Sequence, residues 1–296
     1  MGDKVTWNHP AQHRWRFTLV WGVIVLHLLS CEDNPDAHVC ESLENKMLSL
    51  ARAHGIAITD SGTSFPITTA GGEVNAQICS LSSAGAYVNL LLEELSIYPS
   101  VFIRAIGLRR ILLCAWLTRD GQAREAVMDL QRSELYLDVV RSEGKPCYLR
   151  YIIHHEIFHL FDHVDDNEVL RDVSWSALNP IGFAYGHGGR AMQEVPDVGA
   201  LTNDIYGFTT KYATSGPEED KAEVFAAMVV FPQFIAYRGL GDGVIHAKVQ
   251  RIQRLLERIC PSMDIEFWNR IKALRRDVQC RVYSSSCCPN GRLAGR

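Results

Sequence analysis

No Cys-x-x-Cys pair occurs among the nine cysteines, so neither a cysteine zinc site nor a thioredoxin-like redox motif is supported. No Asn-x-Ser/Thr acceptor is present, which leaves a bacterial and a eukaryotic secretory route equally open. There is no internal repeat, and the 296 residues suit one large domain or two small ones. A basic surplus is missing as well: the net charge is −4. Residues 1–31 carry Lys4, Arg14 and Arg16 against Asp3, and residues 275–296 carry five arginines against Asp277, so residues 32–274 hold a net −10. Nucleic acid is therefore not an expected partner. The apolar run Phe17–Leu29 is too short for a comfortable membrane span.

That run is, however, the length of a secretory signal, and His13-Arg14-Trp15-Arg16 gives it a basic flank. Leu28-Leu29-Ser30-Cys31 also resembles a bacterial lipobox, in which the cysteine is lipidated and attaches the mature protein to a membrane. An uncleaved anchor or a plain buried helix is the alternative. We read residues 1–31 as a signal peptide or lipoprotein signal, and the mature protein as secreted or membrane-anchored on the extracytoplasmic side. Without Cys31 eight cysteines remain, an even set that in an exported chain suits disulfides of unknown pairing. Cys114, inside an apolar run, is read as a buried thiol.

Along the chain, Asn34-Pro35 starts a helix that runs to about His54, with Val39, Leu43, Met47 and Leu50 on its inner stripe and Gly55 as its stop. Short strands are predicted at Ile56–Thr59 and Ile67–Thr69, and a helix from about Ala84 to Ile97. The period then changes. Ile111–Leu117 reads as a strand, Asp120-Gly121 as a turn, and Glu125–Leu130 and Leu135–Val140 as further strands, the last with Leu135, Leu137 and Val139 on one side. Residues 163–217 lack long periodicity, and a loop region of that length is expected to serve a function, as floor and rim of a cleft. Helices follow from Glu218 to Phe231, ended by Pro232, then at 243–259 and 263–274. Residues 277–296 read as an irregular tail rich in Cys and Arg.

The run Cys147–Asp162, preceded by Pro146, holds His155-Glu156-Ile157-Phe158-His159. Ile153, Ile157, Leu160 and Phe161 recur at helical spacing and mark a face turned to a core. On that helix residues i and i+4 lie one above the other, so His155 and His159 present their imidazoles together as two metal ligands. Glu156 then lies beside a metal-bound water as a general base. A catalytic zinc site takes a third protein ligand and keeps its fourth position open. His163 is two turns from His155 and a poor candidate, and Asp162 replaces the glycine of the longer His-rich pattern. His187 remains open. So do the acids of Glu218-Glu219-Asp220-Lys221-Ala222-Glu223, where Glu219 and Glu223 share a face and Glu218 is rotated away.

These residues, with Gly207-Phe208-Thr209-Thr210-Lys211-Tyr212-Ala213, resemble the zinc-binding metallopeptidases of the gluzincin type, of which the catalytic domain of anthrax lethal factor is a distantly related case. The resemblance covers roughly residues 84–274. It implies an α+β, zincin-like domain over 32–276, with a small sheet before the His-Glu-x-x-His helix and a mostly helical C-terminal part. It further implies Zn2+ as cofactor, Glu219 as the third ligand, Glu223 as an acid orienting a histidine, and Tyr212 as an aid to the oxyanion. Trp175–Pro180 with Gly182, Phe183 and Tyr185 also looks like a segment of that group. The spacer from His159 to Glu219 is longer than in compact gluzincins.

The expected function is zinc-dependent hydrolysis of peptide or protein substrates by a metal-activated water. A metal-binding surface or partner-binding module without activity is the alternative, and hydrolysis of amide bonds outside proteins, such as cell-wall peptides, is a third possibility. Export has its own test. N-terminal sequencing of natively expressed protein should show loss of about the first thirty residues; a full-length cytosolic product would refute it.

Overall fold

The computed structural model describes residues 35–275, apart from 61, 81–83, 142–143, 166–170 and 193–194, with backbone only over 35–42. The expected leader at 1–31 and the tail at 277–296 lie outside the described residues. The chain opens with helix α1 (Pro35–His54), closed by Gly55 at φ +72°, a conformation that glycine enters freely. Three strands follow, β1 (Ala57–Thr59), β2 (Ile67–Thr69) and β3 (Gly72–Ile78), then α2 (Gly85–Ser96) and α3 (Ser100–Ala105). Strand β4 (Arg110–Arg119) turns through Asp120 and Gly121, both at positive φ, into β5 (Gln122–Ala123). β6 (Ala126–Asp129) and β7 (Glu134–Asp138) complete a sheet in the order β2-β3-β4-β7-β6, with β1 and β5 also on β4. β4 runs parallel to β1 and β7 and antiparallel to β3 and β5, and β6 is antiparallel to β7.

Alternation along β4 and β7 makes this sheet two-faced. Ile111, Leu113, Leu135, Leu137 and Val139 enter the main core, while Leu112, Cys114, Val127 and Tyr136 build a smaller one on the other side. Cys114 is a buried free thiol as expected, Cys79 and Cys260 are free too, and Cys147 is disulfide-bonded.

Against the main face lies α4 (Pro146–Asp165), followed by the single turn α5 (Val173–Ser176), then α6 (Pro217–Val230), α7 (Pro232–Gly241), α8 (Gly243–Ile259) and α9 (Ile265–Leu274). Mixed strand directions with helices grouped around one face make the fold α+β. α4 and α6 pack through Phe158 and Phe225, whose ring centroids are 5.0 Å apart. Both rings are fully buried, and each such burial contributes roughly 1.5–3 kcal/mol. The far side of α4 is pinned by polar contacts. His154 Nδ1 accepts from Tyr98 Oη at 2.6 Å, and its Nε2 donates to Glu94 at 2.7 Å. Burial, then Arg275 and Arg150, hold its pKa well below the ordinary value, which keeps the ring neutral as this bridging needs. Glu94 also takes Arg150 and Arg275.

The helix from Pro217 ends before Pro232 as expected, and a further helix the sequence did not reveal, α7, begins there, bent 118° from α6, because proline breaks the backbone ladder yet suits a new first turn. The acidic start of α6 is buried. Glu218, Asp220, Lys221 and Glu223 are all buried, and Glu219 is the one residue of α6 that is not. Lys221 Nζ lies 2.6 Å from Asp162 Oδ1 on α4 and 3.5 Å from Asp172 Oδ2. Lys248 on α8 reaches Asp220 at 2.6 Å and the Gly207 carbonyl at 2.7 Å.

Removing a buried cation strands its partners. Lys221→Ala should lower urea unfolding stability by about 3–5 kcal/mol, whereas Arg190→Ala, which breaks an exposed pair with Asp120, should cost under about 1 kcal/mol. Equal losses would refute the buried-pair account.

Candidate metal centre

α4 starts at Pro146, whose fixed φ suits a first helical turn, and its buried stripe of Ile153, Ile157, Leu160 and Phe161 sets which way the histidines point. His155 Nε2 and His159 Nε2 lie 3.0 Å apart. From α6, Glu219 Oε2 lies 3.1 Å from His155 Nε2 and 3.4 Å from His159 Nε2. These three donors, all within 4.8 Å of one another, form a cluster that could hold a metal ion. His163 and His187 are not part of it; His187 is exposed.

The electrostatics of the cluster are those of groups gathered for a charge. Burial lowers the pKa of His155, but Glu219 and Glu223 outweigh burial and raise it well above the ordinary value. His159 is likewise raised by Glu219 against burial. Burial pushes Glu219 up, and the two imidazoles more than reverse this, holding it well below the usual carboxylate range. A metal ion at these donors would compete with protons for them.

Behind the donors, Glu223 Oε1 lies 2.9 Å from His155 Nδ1, off the line of a good hydrogen bond with the ring as placed. Thr210 Oγ1 donates to Glu223 Oε2 at 2.6 Å, and Tyr151 Oη lies 3.0 Å from the same oxygen. Tyr212 Oη donates to Glu219 Oε1 at 3.1 Å. Glu156, half-buried, lines the same cavity of about 910 Å³ as the cluster, with Tyr148, Tyr212, Glu218 and the edge strand β6. Glu218 does not join the donors. Its carboxylate lies over Gly216, and its buried Oε2 has no hydrogen-bond partner.

The stretch between α4 and α6 is built rather than slack. Gly186 N and Gly188 N donate to Thr214 O and Ser215 O, which lays the Gly-His-Gly-Gly segment along the Tyr212 turn. Gly189 is then so close that a Cβ there would collide with Tyr212 Oη and Glu219 Oε1. Sequence reading singled out His187 in this segment and missed Gly189; three glycines in four residues were the available signal. The segment around Trp175 also gains a role: Trp175 Nε1 and Tyr185 Oη both donate to Asp220 Oδ2, at 2.8 and 2.6 Å.

Metal retention on dialysis separates these residues. Glu219→Ala should lose the ion and Glu218→Ala should keep it. Gly189→Ala should weaken retention, because the collision moves Glu219. Equal retention in all three variants would refute the donor set.

No family model matches the chain, and no curated protein does. Among solved structures the chain is similar to the "putative zinc-binding metallo-peptidase" of Bacteroides caccae ATCC 43185, with 18% sequence identity and a TM-score of 0.50, over 82% of this chain and 94% of that one. At that identity the likeness is one of fold, and in fold the two proteins correspond over most of their length.

Proposed function

We propose that this chain is a zinc-dependent metallopeptidase of zincin-like fold and gluzincin type, exported or anchored through Cys31 and acting on peptides or proteins. The observation that carries the reading is the donor triangle, with edges of 3.0, 3.1 and 3.4 Å, set beside Glu156 under an open strand edge. Tetrahedral bonds of about 2.0–2.1 Å need donor-to-donor edges of about 3.3–3.4 Å, close to those found. Two imidazoles and one carboxylate are also the donor types that zinc takes in hydrolytic sites, with a position left for water. The fold shared with the Bacteroides protein is consistent with this.

Zinc held by His155, His159 and Glu219 would supply a water of lowered pKa and a polarised scissile carbonyl. The chain's own residues do the rest. Glu156 takes the proton of the attacking water and passes it to the leaving amine. Tyr212, released from Glu219, donates its hydroxyl proton to the oxygen that becomes negative. Burial, then Glu219 and Glu223, raise the pKa of Tyr212 well above the ordinary value, so it enters as a donor and not as a phenolate. Glu223 stands behind His155 as its charge partner and is itself held by Tyr151 and Thr210. β6 is paired by β7 on one side only, and its other edge offers backbone groups to an extended peptide.

Glu156→Gln separates an enzyme from a binding module. Zinc content and thermal stability should stay at the wild-type level, while turnover falls by about 10²–10⁴. Tyr212→Phe should lose less. Unchanged turnover in Glu156→Gln would refute the mechanism, and a zinc-loaded wild type that cleaves nothing in a broad peptide library would favour the binding module.

A further inference from the structure

Arg119, Arg124 and Arg171 line the same cavity as the donor triangle. Other arginines around the cleft are spoken for: Arg132 pairs with Asp129 and Arg190 with Asp120, each at 2.7 Å. Arg124 is not. It stands just before β6, half-buried, and its guanidinium donates to two neutral oxygens, Ala123 O and Gln122 Oε1, both at 2.9 Å. Among the described residues no carboxylate lies within ion-pair reach of Arg124 or Arg119. Arg119 lies across the Gly71 backbone, where any Cβ would collide with it, and its buried Nε has no partner.

A guanidinium half withdrawn from water and matched only with amide oxygens is short of an anion. Burial lowers the pKa of Arg124; Tyr212 and Glu156 pull it up, while Arg119 and Arg190 push it down. Arg124 thus feels both the reacting residues and two further cations. Glu156 is the one acid of the cavity that acts on Arg124, and it does so from beyond ion-pair distance. Glu219 and Glu223 are taken up by the histidines, and Asp129 by Arg132 and the amides of Gln131 and Arg132. The Glu218 carboxylate lies over Gly216, away from Arg124.

We propose that the substrate of this cleft carries a carboxylate close to the scissile bond, and that Arg124, backed by Arg119, is the residue that selects it. The inference rests on the hydrolytic reading of the cluster for its site, and it adds the substrate class. An Asp or Glu side chain within an extended peptide and the terminal carboxylate of a short one offer the same group. A fork of two N–H donors fits either, and the open edge of β6 favours the internal side chain because it engages backbone on both sides of the residue.

Binding tests this independently of cleavage. Fluorescent peptides would be titrated against zinc-loaded Glu156→Gln protein in three sets: internal Glu with an amidated terminus, the matching internal Gln peptide, and the Gln peptide with a free terminus. The Glu peptides should bind about tenfold more tightly than their Gln partners, a difference of about 1.4 kcal/mol. In the Arg124→Ala, Glu156→Gln double variant that ratio should fall toward one while Gln peptides bind as before. Arg119→Ala in the same background should reduce the ratio in part. A free-terminus peptide that alone gains affinity would overturn the internal assignment, and equal binding of all three sets would overturn the proposal. Wild-type cleavage rates distinguish the two readings: binding preference without hydrolysis removes the peptidase, and hydrolysis without preference removes the carboxylate.

Discussion

Lys221 and Lys248 are buried cations, and the placement of α6 depends on them. A lysine ammonium taken from water costs several kcal/mol unless anions and hydrogen bonds meet it. Here Asp162 on α4 and Asp172 meet the first, and Asp220 and a backbone carbonyl meet the second. Phe208 adds its ring face 3.9 Å from the Lys248 ammonium. Each cation ties α6 to a different helix, one in front and one behind. A helix buried on nearly every side has no amphipathic stripe to orient it, so these pairs fix its rotation, and with it the direction in which Glu219 points.

The same arrangement explains why the residues between α4 and α6 are an integral part of the fold. Asp172 and the Gly207 carbonyl belong to that stretch, as do Trp175 and Tyr185 on Asp220. Arg238 holds it further through the carbonyls of Asn203, Ile205 and Phe208. The stretch thus contributes anions and acceptors that the buried cations require, and in return its backbone path is set closely enough to bring Gly189 against the donor cluster.

Much of this was legible in the chain. The His155–His159 helix carried its own evidence, because apolar spacing and ligand spacing coincide on 3.6 residues per turn. β4 showed as a continuous apolar run, because both its faces are buried, and β7 through the alternation of Leu135, Leu137 and Val139. What escaped reading did so for physical reasons. β3 buries only Val74, so it has no apolar run to notice. α3 is six residues long, too short to display a period. Lys221 and Lys248 look like surface residues until partners far along the chain are placed beside them. Gly189 has no side chain to suggest chemistry, and its importance lies in the space it leaves.

That close approach at Gly189 has a bearing on how the triangle is completed. The glycine segment and the Tyr212 turn meet there, joined by the amides of Gly186 and Gly188. Two corners of the triangle lie one turn apart on α4, whereas the third, Glu219, reaches them from sixty residues further on through the packing of α6 against α4. The shape of the triangle is therefore a property of long-range packing, and the least regular part of the chain forms one of its walls.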